Sequence, residues 1–182
     1  IVVGEANTTE GSVHAFVWRE GKMQDLGMLP GGGFSTALDI NDTGTIIGIS
    51  NTTPNGKTRA VLWKEGKIQE LGILPGGTLS HAHAINAQGD IAGWADTPEV
   101  EIEAILWQKG KMISLGSLGN EPSSAWGLNN RGQVVGTGAT ARKRMHAFLW
   151  ESGKIRDLND MIPANSGWTL QDRKSTRLNS SY

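Results

Sequence analysis

An all-β fold built from tandem four-stranded antiparallel units is predicted by three features of this 182-residue chain. An apolar strand ending in tryptophan recurs: Trp18, Trp63, Trp107 and Trp150 stand 45, 44 and 43 residues apart. Turn signals fall every eight to twelve residues. No sustained helical apolar stripe interrupts them in the first 160 residues. Four strands per roughly 40–45 residues is the size of a β-propeller blade. The chain therefore reads as an incomplete β-propeller, with a β-solenoid-like array as the alternative, since period alone does not separate the two.

Each element of the unit has a local reason. The first strand is short and apolar, as in His14-Ala15-Phe16-Val17-Trp18. Arg19-Glu20-Gly21 then reads as a three-residue hairpin loop whose last position wants a left-handed backbone, and Gly66, Gly110 and Gly153 repeat it. The second strand, Lys22–Gly27, mixes apolar Met23 and Leu26 with polar Gln24 and Asp25. Leu29-Pro30-Gly31-Gly32 makes a corner. The third strand, Ser35–Asn41, leads into a turn closed by Asn41 and Gly44. Asn86 with Gly89, and Asn129 with Gly132, repeat that turn. The fourth strand is Thr45–Ser50, with a glycine at its centre: Gly48, then Gly93 and Gly136 in later copies.

The diversity of the connections suggests the blade boundary. The two hairpin turns never change length, and the proline-glycine corner changes little. The connection after the fourth strand varies most: NTTPNGKTR, DTPEVEIE and TARKRMH. A crossing between sheets is constrained by geometry, whereas a rim loop drifts. The corner is therefore expected to be the crossing, and each sheet to run third, fourth, first, second strand from axis to rim. The opposite phase stays open. Small residues on the third strand (Ala37, Ala82, Ala84, Ala125, Gly127) suit a crowded axis.

The recurrent tryptophans are expected to pack between neighbouring sheets, because they recur with the core pattern and not with the variable loops. Trp94 and Trp126 break the repeat. Other copies hold Ile49 or Thr137, and Leu38 or His83, at those positions. They are the better ligand candidates among the tryptophans, beside a core-packing reading. His81 and His83 in SHAHAIN are spaced to share one strand face, and a metal site can use such a pair, but no third ligand follows from the sequence. These four residues form a speculative binding set. His14 and His146, with Arg59 and Glu103 in the same slot, read as residues that open a strand. Asp25, Glu70 and Asp157 share one slot, with Ser114 in the third copy, and read as solvated or hydrogen-bonded groups.

No catalytic residue is nominated. There are no cysteines, which removes disulfides, thiolate metal sites and cysteine nucleophiles. No two carboxylates are marked out as a glycosidase pair, and no phosphate loop, calcium loop or nucleophile elbow is present. No cofactor or metal is expected. Net charge is −1, so no global field draws the chain to nucleic acid. The basic cluster Ala141–His146 offers too few phosphate contacts to change that. No apolar run approaches the roughly 20 residues that span a bilayer, and no signal peptide is visible.

The combined pattern HAFVW…G…DLG.LPGG..S.A..IN..G.I.G resembles the HAF repeat of bacterial extracellular repeat proteins, over about residues 1–160. The later DLNDMIPANSGWTL resembles the closing segment of such chains. Two departures stand out: LGNEPSS replaces the proline-glycine corner in the third copy, and Asn159 stands where a glycine is due. The resemblance implies a secreted or cell-surface protein with no known catalytic residues to carry over. The repeat architecture and the missing catalytic signatures point to a non-enzymatic module binding a protein or a glycan through its variable loops. The alternatives are a fragment of a propeller-type glycoside hydrolase or lyase, and a purely structural spacer. Residues 172–182, DRKSTRLNSSY, resemble the in-frame translation of a common sequencing-library adapter, departing only at Tyr182. They are read as a non-native, disordered tail. The repeat region, 1–171, is read as a fragment of about three and a half blades.

Overall fold

The computed structural model describes residues 1–54 and 56–171 and arranges them in fifteen β-strands. The tail reading of 172–182 lies outside the described residues. The strands are β1 (Val2–Asn7), β2 (Val13–Arg19), β3 (Lys22–Gly27), β4 (Ser35–Ile40), β5 (Ile46–Asn51), β6 (Thr58–Lys64), β7 (Lys67–Glu70) and β8 (Ser80–Ile85). Then come β9 (Ile91–Ala95), β10 (Glu103–Gln108), β11 (Lys111–Ser114), β12 (Ser123–Leu128), β13 (Val134–Ala139), β14 (Met145–Glu151) and β15 (Lys154–Asp157). A single 3₁₀ turn, Leu158–Met161, follows. Among the described residues there is no α-helix.

The strands form four antiparallel meanders: β1-β2-β3, β4-β5-β6-β7, β8-β9-β10-β11 and β12-β13-β14-β15. The proline-glycine corner is thus the crossing between sheets, and the variable connection is a hairpin within one. The innermost strands β4, β8 and β12 pack on one another, while β7, β11 and β15 pack appreciably only within their own sheet or on the closing 3₁₀ turn. Sheets that touch at one edge and part at the other are radial. This is the propeller arrangement and not the parallel stack of a solenoid.

The W-x-x-G hairpins differ from the three-residue expectation. Arg19 pairs with Lys22, so the loop holds two residues. Both have positive φ, Glu20 at 51° and Gly21 at 78°. That is a type I′ turn, whose twist matches the strands it joins. Glu65, Lys109 and Ser152 repeat the strained first position at 51° each. Gly66, Gly110 and Gly153 repeat the second, at 72°, 73° and 80°. Gly93 is required for a different reason. A Cβ there would lie 1.9 Å from the carbonyl oxygen of His81 on the paired strand. The innermost strand bulges beside this glycine at His83, and beside Gly48 and Gly136 of the other sheets at Leu38 and Trp126, each of which is skipped in the register.

Strand alternation gives each sheet two apolar faces. Val3, Ala15 and Val17 of the first sheet meet Ile46, Val61 and Trp63 of the second. Ile47, Ala60 and Leu62 meet Ile91, Ile105 and Trp107. Ala92, Ala104 and Leu106 meet Val134, Phe148 and Trp150. Each of these three tryptophans faces the sheet before its own. Trp63 and Trp107 are accordingly 3% and 6% exposed, and Trp150 is half-buried. Trp18 departs from the packing expectation at 41% exposed, because no sheet among the described residues lies on its face.

Two polar devices repeat with the cores. Buried Ser35, Ser80 and Ser123 each begin an innermost strand. Each hydroxyl accepts a backbone N–H from the preceding sheet (Ala15, Ala60, Ala104) at 2.9–3.0 Å. Each donates to a glycine carbonyl of that sheet (Gly27, Gly72, Gly116) at 2.7–2.9 Å. At the fourth sheet the equivalent N–H, of Ala147, donates to the carbonyl of Leu170 instead, at 2.9 Å. Asn159 grips Leu170 by accepting its N–H at 2.7 Å and donating to its carbonyl at 3.0 Å. The asparagine that departs from the repeat thus ties the closing segment down.

The second device is an asparagine ladder. Asn41, Asn86 and Asn129 each accept the N–H four residues on, closing their turns. Gly44, Gly89 and Gly132 complete the same turns. Each donates its N–H back to the carbonyl of its asparagine, at 2.9, 3.1 and 3.1 Å. The side-chain amide of Asn41 also donates to the carbonyl of Asn86 at 3.0 Å, and that of Asn86 to Asn129 at 3.3 Å. One side chain therefore shapes a turn and joins two sheets.

Candidate functional site

The bulged residues of the innermost strands bring the irregular aromatics together. His81 on β8 lies opposite Trp94 on β9, and their rings stack at 4.2 Å with an 18° tilt. His83, the bulge residue of β8, stacks on Trp126, the bulge residue of β12, at 4.3 Å and 6°. The two imidazoles are 6.2 Å apart, edge to face. All four residues nominated from the sequence therefore belong to one cluster. None of them is a member of the three apolar cores, so the core-packing reading of Trp94 and Trp126 does not describe them.

Hydrogen bonds hold the rings. His83 Nδ1 is 2.9 Å from the carbonyl of Ala125, which only accepts, so the proton sits on Nδ1. His81 Nε2 is 2.7 Å from Thr58 Oγ1. Trp126 Nε1 donates to Thr137 Oγ1 at 3.0 Å. Burial pushes the His81 imidazole down to about 4, and His83 beside it acts in the same direction. Burial also lowers His83, outweighing the opposite effect of its bond to Ala125. Both rings are neutral at pH 7, and the cluster carries no charge. Among the described residues no third histidine or carboxylate joins the pair as a metal ligand set.

A cavity of about 250 Å³ opens between the third and fourth sheets beside this cluster. Trp94 and Trp126 form part of its wall, with Ile102, Ser124, Thr137 and Met145. Each indole thus stacks an imidazole and also contributes to the cavity wall. None of the lining side chains is ionisable. Ser124 is 8% exposed, and its hydroxyl has no hydrogen-bond partner. Neither Ser124 nor Thr137 stands out in the sequence, because serine and threonine at strand positions carry no signal of their own. A groove of about 300 Å³ between the first two sheets is of another kind. Its lining includes exposed, mixed charges, Arg19, Lys64 and Glu65 at the outer hairpins and Asp25 on β3.

The remaining nominated residues are structural. Gly21, Gly66, Gly110 and Gly153 hold positive φ in the outer hairpins. Gly44, Gly89 and Gly132 hold positive φ, at 79°, 86° and 75°, in the asparagine turns. A Cβ at Gly89 or Gly132 would meet open space, so the left-handed backbone and not crowding is what calls for glycine there. None of these seven lines the cavity beside the aromatic cluster. The slots of His14 and Asp25 face each other across the outer hairpin and vary together. The ring of His14 meets Asp25 at 2.7 Å, Arg59 meets Glu70 at 3.1 Å, and His146 meets Asp157 at 2.5 Å. In the third sheet the polarity reverses, and Ser114 bonds Glu103. Burial alone would raise Asp157, but bonds from His146 and Asn159 prevail and hold its carboxyl below the ordinary value.

Radial antiparallel four-stranded meanders define a β-propeller-type domain. Among solved structures the chain is similar to the β-propeller domain of the Trilobed protease from Pyrococcus furiosus, described as having an open velcro topology. The TM-score is 0.52 at 15% identity, covering 84% of this chain and 46% of that one. The chain thus spans about half the length of that domain, and the likeness is one of fold. It is also similar to a fucose lectin from Kordia zhangzhouensis, solved with methyl-fucoside, at TM-score 0.38 and 16% identity, covering 84% of this chain and 94% of that one. No family model matches the sequence, and no curated protein does. No helix among the described residues is long and apolar enough to cross a membrane.

Proposed function

We propose that this chain is part of a non-enzymatic, extracellular β-propeller-type module that binds a glycan at the cell surface, through the cavity between the third and fourth sheets. One observation carries the reading: two indoles, each backed by a stacked imidazole, line a single uncharged cavity. Flat aromatic faces held from behind lose little freedom when a ring stacks on them, so the contact energy is not spent on ordering the site. The imidazoles act as supports, which accounts for two half-buried, neutral histidines behind the indoles. The surface location rests on the resemblance to the HAF repeat.

The non-enzymatic part rests on the lining residues, which include no carboxylate, whereas glycoside hydrolysis ordinarily places two across the scissile bond. A glycan array probed with the full chain tests the reading. Binding to at least one glycan is expected, without its cleavage. Trp126→Ala should lower that binding at least tenfold while leaving the far-ultraviolet spectrum unchanged. Failure to retain any glycan, or equal binding by the Trp126 variant, refutes the proposal.

A further inference from the structure

We infer that a second copy of this chain docks its first sheet onto the outward face of the fourth sheet, and that two chains close one ring in this way. The inference is independent of the glycan-binding reading.

One half of the contact is the face of the first sheet that carries Trp18. Val2 pairs with Trp18 as Ile46, Ile91 and Val134 pair with Trp63, Trp107 and Trp150. In the later sheets the aliphatic member of this pair is at most 3% exposed, because the preceding sheet lies on it. Val2 is 54% exposed, and Met23, which pairs with Trp18 across the outer hairpin, is 62% exposed. The tryptophan face is thus covered three times within the chain and open once. Scattered apolar side chains on a surface are ordinary, but a contiguous apolar face of core composition marks a contact site.

The other half is the opposite face of the fourth sheet. Val135, Ala147 and Leu149 stand there in the slots of Ile47, Ala60 and Leu62, which the third sheet covers. None of the three belongs to an apolar core shared with another sheet. The closing segment has taken up one position on this side. Ala147 donates its N–H to the carbonyl of Leu170, where Ser35, Ser80 and Ser123 otherwise begin the innermost strand of the sheet that follows. Leu170 therefore stands at the entrance to the innermost place of a further sheet.

The two halves are complementary in strand number. The first sheet has three strands, and β1 lies at its inner edge, where the other sheets carry a fourth strand. Placed against the fourth sheet of a partner, it leaves free the place that the closing segment has entered. The contact then repeats an interface the chain already builds three times, tryptophan face on alanine-leucine face. Each chain brings four sheets, so two bring eight, within the four to eight with which propellers close. A head-to-tail contact that closes gives a ring of fixed size, and one that does not close gives a filament.

Light scattering on the full chain, across the micromolar range, provides the test. A two-copy species is expected, with nothing larger. Trp18→Gln and Leu149→Gln each damage one half, and each should weaken the association about tenfold or more while leaving the far-ultraviolet spectrum unchanged. Leu149→Ala replaces the glutamine variant if the latter does not fold. Mixed in equal amounts, the two variants retain one intact junction and should recover the dimer in part. A chain that stays monomeric across the range overturns the proposal, and so does growth into larger species. Loss of the dimer in Trp18→Gln with full association in the Leu149 variant, or no recovery on mixing, overturns the head-to-tail arrangement and indicates a Trp18 face packed on its own copy. Glycan binding is read separately, so neither result bears on the other.

Discussion

Replacing Ser80 by alanine removes one oxygen and unpairs two backbone groups on a neighbouring sheet. The Ser80 hydroxyl accepts the N–H of Ala60 at 3.0 Å and donates to the carbonyl of Gly72 at 2.7 Å. Ser80 and Ala60 are both 0% exposed, so water has no route to the freed N–H. Leaving a buried donor unmade costs about 1–3 kcal/mol, and losing the second, less buried bond about 0.5–1.5 kcal/mol. The expected loss is therefore about 2–4 kcal/mol. Urea unfolding followed by tryptophan fluorescence reads it directly. With a denaturant slope of about 2 kcal/mol/M, the midpoint should fall by about 1–2 M. Ser35 and Ser123 make the same two bonds, so Ser35→Ala and Ser123→Ala are internal replicates with the same expected loss. A loss below about 0.5 kcal/mol at all three positions, the size of a surface substitution, would show that the latch is not what joins the sheets.

Stability should fall as pH drops from 6.5 towards 4, because unfolded His81 takes up a proton that the folded ring, lowered to about 4, refuses. That gap is worth at most about 3 kcal/mol, and His83 acts in the same direction. A double variant carrying His81→Gln and His83→Gln should flatten the profile, and a wild-type midpoint that is level across this range contradicts the assignment. Trp107→Phe should cost about 1 kcal/mol more than Trp63→Phe, since Trp107 Nε1 donates to the carbonyl of Leu71 at 3.1 Å whereas Trp63 Nε1 is buried without a partner. Equal losses in urea unfolding would remove that hydrogen bond from the account.

The candidate site is legible in the sequence only in part. Trp94, Trp126 and the histidine pair stand out because they break a repeat that is otherwise regular. A side chain that departs from a repeating core slot is free of the packing constraint, and that much is visible in one dimension. Their convergence is not. His83 and Trp126 meet because each is the extra residue of a β-bulge, and the two bulges sit on adjacent innermost strands. Nothing in SHAHAIN or SSAWGLN signals which residue will be skipped in the register. Ser124 is invisible for a similar reason. It lines the cavity because of what the preceding sheet places opposite it.

The same division holds for the fold. Local chemistry is sufficient for the strands, the turns and the direction of each hairpin, because left-handed turn positions and alternating apolar residues act over a few neighbours. Gly89 and Gly132 show this: each sits three residues after its asparagine, and each holds the positive φ that the spacing implies. The phase of the sheet is only suggested by connection lengths, and the strand pairing of the folded chain decides it. The outer hairpin is one residue tighter than its sequence suggests, because Glu20 takes a left-handed backbone that its side chain does not advertise. Radial placement belongs to the tertiary structure, as does the exposure of Trp18 beside the burial of Trp63 and Trp107. An indole is buried only when another sheet supplies the opposing face. The order of residues determines what each face offers, and the three-dimensional neighbourhood decides what meets it.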